Sequence, residues 1–146
     1  MSVIASYAAD IRLPVDIDEP KTPLERTPGW LALKDAVEAT AEEFGGFVFT
    51  EVTDYFGRSA PCDFAVITPS FGRGVGIRVD RSTGEVFFLY DAYGGFEYEA
   101  SKIKQRVLQN FSAVAIARAL ESLHYEVEYE ERRTEGGKEI LLRGVL

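Results

Sequence analysis

The 146 residues include one cysteine, Cys62, one histidine, His124, and one methionine, and these scarcities exclude more chemistry than any motif suggests. A lone cysteine rules out an intramolecular disulfide and fits a reducing compartment. A zinc centre needs several Cys or His ligands and is excluded as well. Nucleophilic catalysis needs a nucleophile beside a base. Cys62 follows Pro61 where a strand begins and His124 sits at a helix-to-strand junction, positions that read as structural. Long apolar runs are also missing. No stretch nears the ~18 residues of a membrane-spanning helix, and the opening Met-Ser-Val-Ile-Ala-Ser-Tyr lacks the basic-then-apolar pattern of an export signal. The expectation is a cytoplasmic protein with no membrane partner.

Positive charge is scarce too. Lys and Arg number 16 against 24 Asp and Glu, a formal charge of −8, with 6 basic and 12 acidic residues in 1–73 and 10 and 12 in 74–146. Such a surface repels nucleic-acid phosphates unless a basic face is segregated. The only local basic excess is Lys102, Lys104 and Arg106, with Arg118, Arg132 and Arg133 farther on. It does not line up, because Lys104 lies well around a helix from its two neighbours. RNA binding by stacking on sheet aromatics is therefore a third reading, and nucleic acid is not the expected partner.

What is present suffices for a core. Apolar residues make up 46% and charged residues 27%, as in ordinary globular domains. A chain of this length folds most economically as a single domain, 1–146, that buries about two thirds of its unfolded surface. Val3, Ala5, Tyr7, Ala9 and Ile11 alternate as a strand with one buried face. The stretch at about 13–28 holds four prolines and the acids Asp16, Asp18, Glu19 and Glu25, and reads as a surface excursion. Thr27-Pro28 starts a helix that carries Trp30, Leu33, Val37, Ala41 and Phe44 at helical spacing and stops at Gly45-Gly46. Strands are expected at 47–53, 63–68, 75–79 and 85–90. The last is apolar on both faces and so belongs in the middle of the sheet.

A long helix is expected from about Glu99 to Leu123. Its apolar stripe runs through Ile103, Val107 and Phe111, then reappears on the opposite side at Ile116, Leu120 and Leu123. Either the helix bends near Asn110-Phe111-Ser112, or its second half is covered from another direction, by this chain or by a second one. Two further strands, joined by the hairpin at Gly136-Gly137, close the sheet. The order is β-α-β-β-β-β-α-β-β, an α+β fold with a mostly antiparallel sheet and two helices, in which two β-α-β-β halves would place both helices on one face.

The one polar constellation lies between the fifth strand and the long helix. There Tyr90-Asp91-Ala92-Tyr93-Gly94-Gly95-Phe96-Glu97-Tyr98 combines aromatics, carboxylates and two glycines. Asp91, Tyr93, Gly94 and Gly95, with Arg58 and Arg73 from other glycine-bearing loops, would make a small ligand-binding pocket if they converge. The simpler reading has the glycines shaping a turn and the aromatics plugging the sheet. Gly94-Gly95 lacks the spacing of a phosphate loop or dinucleotide fingerprint, and Asp54, Asp63, Asp91 and Glu97 match no known cation loop. No cofactor, metal or catalytic set is therefore assigned.

From Val75 to Leu146 the chain resembles the uncharacterised family of hypothetical chloroplast reading frame thirty-five, found in plastids, cyanobacteria and other bacteria. Gly76-Ile77, Leu89-Tyr90-Asp91-Ala92-Tyr93-Gly94, Gln109, Phe111, Ser112, Tyr125, Val127 and Arg143 fall into that family's register. Asn110 stands where the family usually has Arg, Val114 where it often has His, and His124 where it has Gly, so any activity resting on that Arg or His would be missing. The resemblance implies an accessory role beside ATPase-type proteins and no assigned activity. Together these features favour a non-catalytic protein that binds another protein, or a second copy of itself, through Ile116, Leu120 and Leu123 or through a sheet edge. A small-ligand or enzymatic site at the aromatic Gly-Gly loop is the alternative.

Overall fold

A computed structural model describes residues 3–15, 23–122, 126–134 and 137–145, the last two stretches as backbone. The elements run β1 (Ala5–Arg12), α1 (Pro28–Glu43), β2 (Phe47–Thr53), β3 (Ser59–Thr68), β4 (Phe71–Val79), β5 (Glu85–Tyr90), α2 (Glu97–Ser122), β6 (Glu126–Thr134) and β7 (Gly137–Val145), with a 3-10 turn at Leu24–Arg26. This is the expected α+β order. β1 to β5 form one antiparallel sheet in the order β1-β5-β4-β3-β2.

Two placements differ from the sequence expectation. β5 is an inner strand, but the centre belongs to β4, because β1 returns to pair with β5 (Tyr7 opposite Phe88). β6 and β7 do not close the sheet. They form their own two-stranded ribbon, whose backbone lies beside α2. α2, with 26 residues, runs about 39 Å. The two strands of the ribbon pair with each other from Glu126 opposite Val145 to Thr134 opposite Gly137.

Alternation sorts the sheet into two faces. Val66, Val75, Ile77, Val86, Phe88 and Tyr90 point to one side, where Leu33 and Val37 of α1 and Ile103 and Val107 of α2 cover them. Trp30 packs there against Phe64, ring centroids 5.1 Å apart, as core. Thr27 caps α1, its hydroxyl donating to the Leu24 carbonyl (2.6 Å) and accepting from the Trp30 N–H (3.4 Å). The acidic excursion is pinned at both ends by buried Leu13 and Leu24; residues 16–22 lie outside the described residues.

The two helices are antiparallel and joined by polar contacts. Arg106 meets Glu43 (2.6 Å), buried Asn110 donates to Thr40 (3.0 Å) and Glu43 (3.2 Å), and Arg118 pairs with Asp35. Thr40 in turn donates to the Ala36 carbonyl (2.7 Å), so the buried polar groups are satisfied. The packed face of α2 does not change sides. Ala100, Ile103, Val107, Asn110, Ala113 and Ala117 make one continuous buried stripe, and the helix runs unbroken through 110–112. Beyond Asn110 the stripe is built of alanine, which lets α1 come close, and the larger Ile116 is left outside it at 52% exposure.

Among the described residues the other face of the sheet has no helix over it. β4 contributes glycines there, and Ala65 and Leu89 of the adjacent strands and Val52 of β2 still bury themselves, flanked by Cys62, Ile67 and Phe87. A Cβ on Gly76 would lie 3.0 Å from Val52 Cγ1 and 3.1 Å from Cys62 Sγ. The side chains beside β4 close over a floor that has none of its own.

Gly46, at the start of β2, tests the packing between strands. A Cβ there would run into the Ile67 carbonyl oxygen, whereas one on Gly72 meets nothing within 4 Å. Gly46→Ala should cost about 3 kcal/mol of unfolding free energy in urea titrations, and Gly72→Ala should stay within about 0.5 kcal/mol.

Candidate functional site

Arg73 enters from β4 and Asp91 directly follows β5, so two adjacent strands deliver them to the same end of the sheet. Arg73 Nη1 donates to the carbonyls of Asp91 (2.9 Å) and Tyr93 (2.7 Å) and stands 4.0 Å from Asp91 Oδ1. Its guanidinium lies over the rings of Tyr55 (5.3 Å) and Phe96 (5.0 Å). Asp91, 3% exposed, accepts the Tyr93 N–H on Oδ1 (3.0 Å) and the Tyr55 N–H on Oδ2 (2.9 Å). A buried carboxylate needs such donors, since stripping its water without replacement costs several kcal/mol. Gly94 and Gly95 take φ of 92° and 89°, which turns the chain from Asp91 into α2 and lets it wrap the guanidinium.

Arg58 is one step removed. It sits in the β2–β3 loop with its Nε on Asp54 Oδ2 (2.6 Å), while Asp54 Oδ1 accepts the N–H groups of Phe56 and Arg58 (both 2.9 Å). Burial pushes the Asp54 carboxyl up, but the Arg58 N–H and guanidinium outweigh it and hold the group below its ordinary range. Tyr55 links this loop to Asp91, through its N–H and through an edge-on ring contact with Tyr93 (4.9 Å). Of the residues singled out in the sequence, Asp91, Tyr93, Gly94, Gly95 and Arg73 thus form one assembly, and Arg58 belongs to the neighbouring turn. Outside it stand exposed Tyr55, Phe56 and Tyr93.

The remaining candidates are dispersed. Among the described residues no three of His, Cys, Asp and Glu gather as a metal site: Asp63 is held by Arg81 (2.7 Å) and Glu97 by the Tyr90 hydroxyl (3.2 Å). No described helix is long and apolar enough to cross a membrane. Ile116 is exposed and Leu120 half-buried; Leu123 and His124 lie outside the described residues. Of the basic residues, Lys102 and Arg106 lie over the same Phe44 ring (5.9 and 5.8 Å) while Lys104 lies over Tyr7 and Tyr90, and Arg106 and Arg118 are paired with carboxylates; the side chains of Arg132 and Arg133 lie outside the described residues. Cys62 is half-buried, and burial foremost pushes its thiol up to about 11.

A second polar group escaped the sequence reading. Tyr7 of β1 stacks on Tyr90 of β5 (4.7 Å, 19°), and Lys104 of α2 donates to the Tyr90 hydroxyl (3.2 Å) from above both rings. Burial, with the Glu97 charge behind it, raises the Tyr90 phenol and keeps it protonated. The available signal was the two-turn spacing of Glu97 and Lys104, which puts both on one side of α2. The chain matches no protein-family model, no curated protein and no solved structure.

Two measurements test this description. Arg73→Met should cost about 3 kcal/mol of stability by leaving the Asp91 and Tyr93 carbonyls without their donor and the buried Asp91 carboxylate without its nearby positive charge, and Arg73→Lys should recover little, because an ammonium cannot reproduce the planar stacked fork. Cys62 should react with a disulfide reagent far more slowly than glutathione at pH 8, with a rate that climbs about tenfold per pH unit as the thiolate population grows towards pH 11.

Proposed function

We propose that this protein is a non-catalytic binding subunit that acts on another protein rather than on a small substrate. One observation carries the reading: the polar groups at the sheet end are engaged with one another, while large apolar side chains stand in water. Arg73 and Asp91 are held by each other and by backbone groups. Phe47, Phe49, Tyr55, Phe56, Tyr93, Tyr98 and Ile116 are each about half exposed or more. Aromatic side chains of this kind, beside arginine, are what protein interfaces enrich. The resemblance of residues 75–146 to a family associated with ATPase-type proteins supports the same accessory role, with such a protein or a second copy as partner.

The alternative, a small-ligand site at the Tyr93-Gly94-Gly95 loop, draws support from Arg58, whose side chain is 70% exposed and whose guanidinium lies 5.5 Å from the Phe56 ring. Thermal unfolding separates the two readings. A nucleotide, metal or small acid at a hundredfold excess over its Kd adds about 2.7 kcal/mol of stability, and the binding-subunit reading expects no such shift from any of them. It expects instead that affinity capture from the native host retains a defined partner, and that Phe56→Asp with Tyr93→Asp or Ile116→Asp weakens the capture without unfolding the chain. A small-molecule shift combined with empty capture would overturn it.

A further inference from the structure

We propose that the outer edge of β2 docks a basic, extended segment of another protein, which joins the sheet as a sixth strand. The proposal rests on the protein-binding reading and names its surface. β2 ends the sheet, and among the described residues nothing pairs with its outer edge. A row of unpaired N–H and C=O groups is a ready template for strand addition unless it is guarded. The opposite edge is guarded: in β1 Asp10 takes a φ of 57°, and the pairing slips between Ala8 and Arg12. β2 carries neither lysine nor proline, the residues that blunt edges elsewhere. Its own slip, between Phe49 and Glu51, confines the docking to its first half.

That first half presents the right surface. Phe47 and Phe49 are 54% and 55% exposed and meet edge to face at 5.3 Å, on the sheet face away from the helices, opposite Ile67 and Ala65. A new strand beside them would cover both rings with alternate side chains.

Charge selects the occupant. From residue 35 to residue 57, through most of α1 and all of β2, the chain has six carboxylates and no lysine or arginine. Asp35, Glu43 and Asp54 are matched by Arg118, Arg106 and Arg58. Glu38, Glu42 and Glu51 are exposed and have no ion pair among the described residues. Glu38 and Glu42 stand one helical turn apart, where like charges repel. α1 lies against β2 on the face opposite the two rings. The edge is thus flanked by aromatics on one face and, through α1, by a carboxylate-rich stretch without lysine or arginine, and a partner strand of alternate apolar and basic residues complements both. A second copy would bring the same acidic edge and be repelled.

The probe is a capped ten-residue peptide of alternating valine and lysine, with an alternating valine and glutamate peptide as control. Amide hydrogen exchange of the full chain should slow at least tenfold within Phe47–Thr53 on adding the basic peptide. The basic peptide should bind at least tenfold more tightly than the acidic one, and more weakly as salt rises. Glu38→Lys with Glu42→Lys, both on the exposed side of α1, should fold and reverse that preference. Equal binding of the two peptides, protection elsewhere than β2, or no binding at about 1 mM, the weak limit of specific association, overturns the proposal. Phe47→Lys with Phe49→Lys separates it from the broader reading. If host-partner capture survives that change, the edge assignment falls and protein binding stands; if the unaltered chain captures nothing, the broader reading falls too.

Discussion

Both helices lie on the same face of the sheet, and the rest of the molecule follows from that one-sided cover. The face beneath α1 and α2 becomes a conventional core of branched and aromatic side chains, with Ile77, Phe88 and Ile103 almost without water contact. To lie side by side the helices must approach closely, which explains the alanines at 113 and 117 and the fully satisfied Asn110–Thr40–Glu43 contact between them. Buried polar contacts of this kind contribute little net energy, but a slipped register would leave them unpaired. Among the described residues the opposite face has no such cover, and Phe47 and Phe49 stand exposed on it.

The polar assembly at the sheet end is a consequence of the same geometry. β4 and β5 are neighbours, so Arg73 and Asp91 meet, and the turn into α2 must begin beside them. The arginine satisfies the carbonyls that this turn leaves open, and the aspartate satisfies its N–H groups. Tyr55 ties the β2–β3 loop to the same carboxylate, so three chain segments share one buried charge pair. Such an arrangement holds a loop rigid and displays what lies outside it, here the rings of Tyr55, Phe56 and Tyr93.

Much of this was legible in the sequence. Thr27-Pro28 marked the start of α1, the apolar character of Glu85–Tyr90 on both faces marked an inner strand, and the Gly94-Gly95 turn was visible from composition. That Arg73 would reach Asp91 was a conjecture about convergence, which only the strand order could decide. β4 was read too short, from 75 rather than Phe71, because Gly72 and Gly74 look like a turn. Hydrophobic periodicity also misled at α2: it weighed Ile116 and Leu120 above Ala113 and Ala117, although close helix packing selects for smallness. The separate β6–β7 ribbon was hidden for another reason. Its pattern specifies strands, but nothing local specifies which sheet they join.

The glycine floor of β4 carries a further implication for how this chain can diverge. Val52 and Cys62 already occupy the space above Gly76, so an added methyl there must push its neighbours outward, whereas Gly72 at the start of the same strand has open space beside it. Larger residues should therefore be tolerated at position 72 of β4 and resisted at position 76 of the same strand.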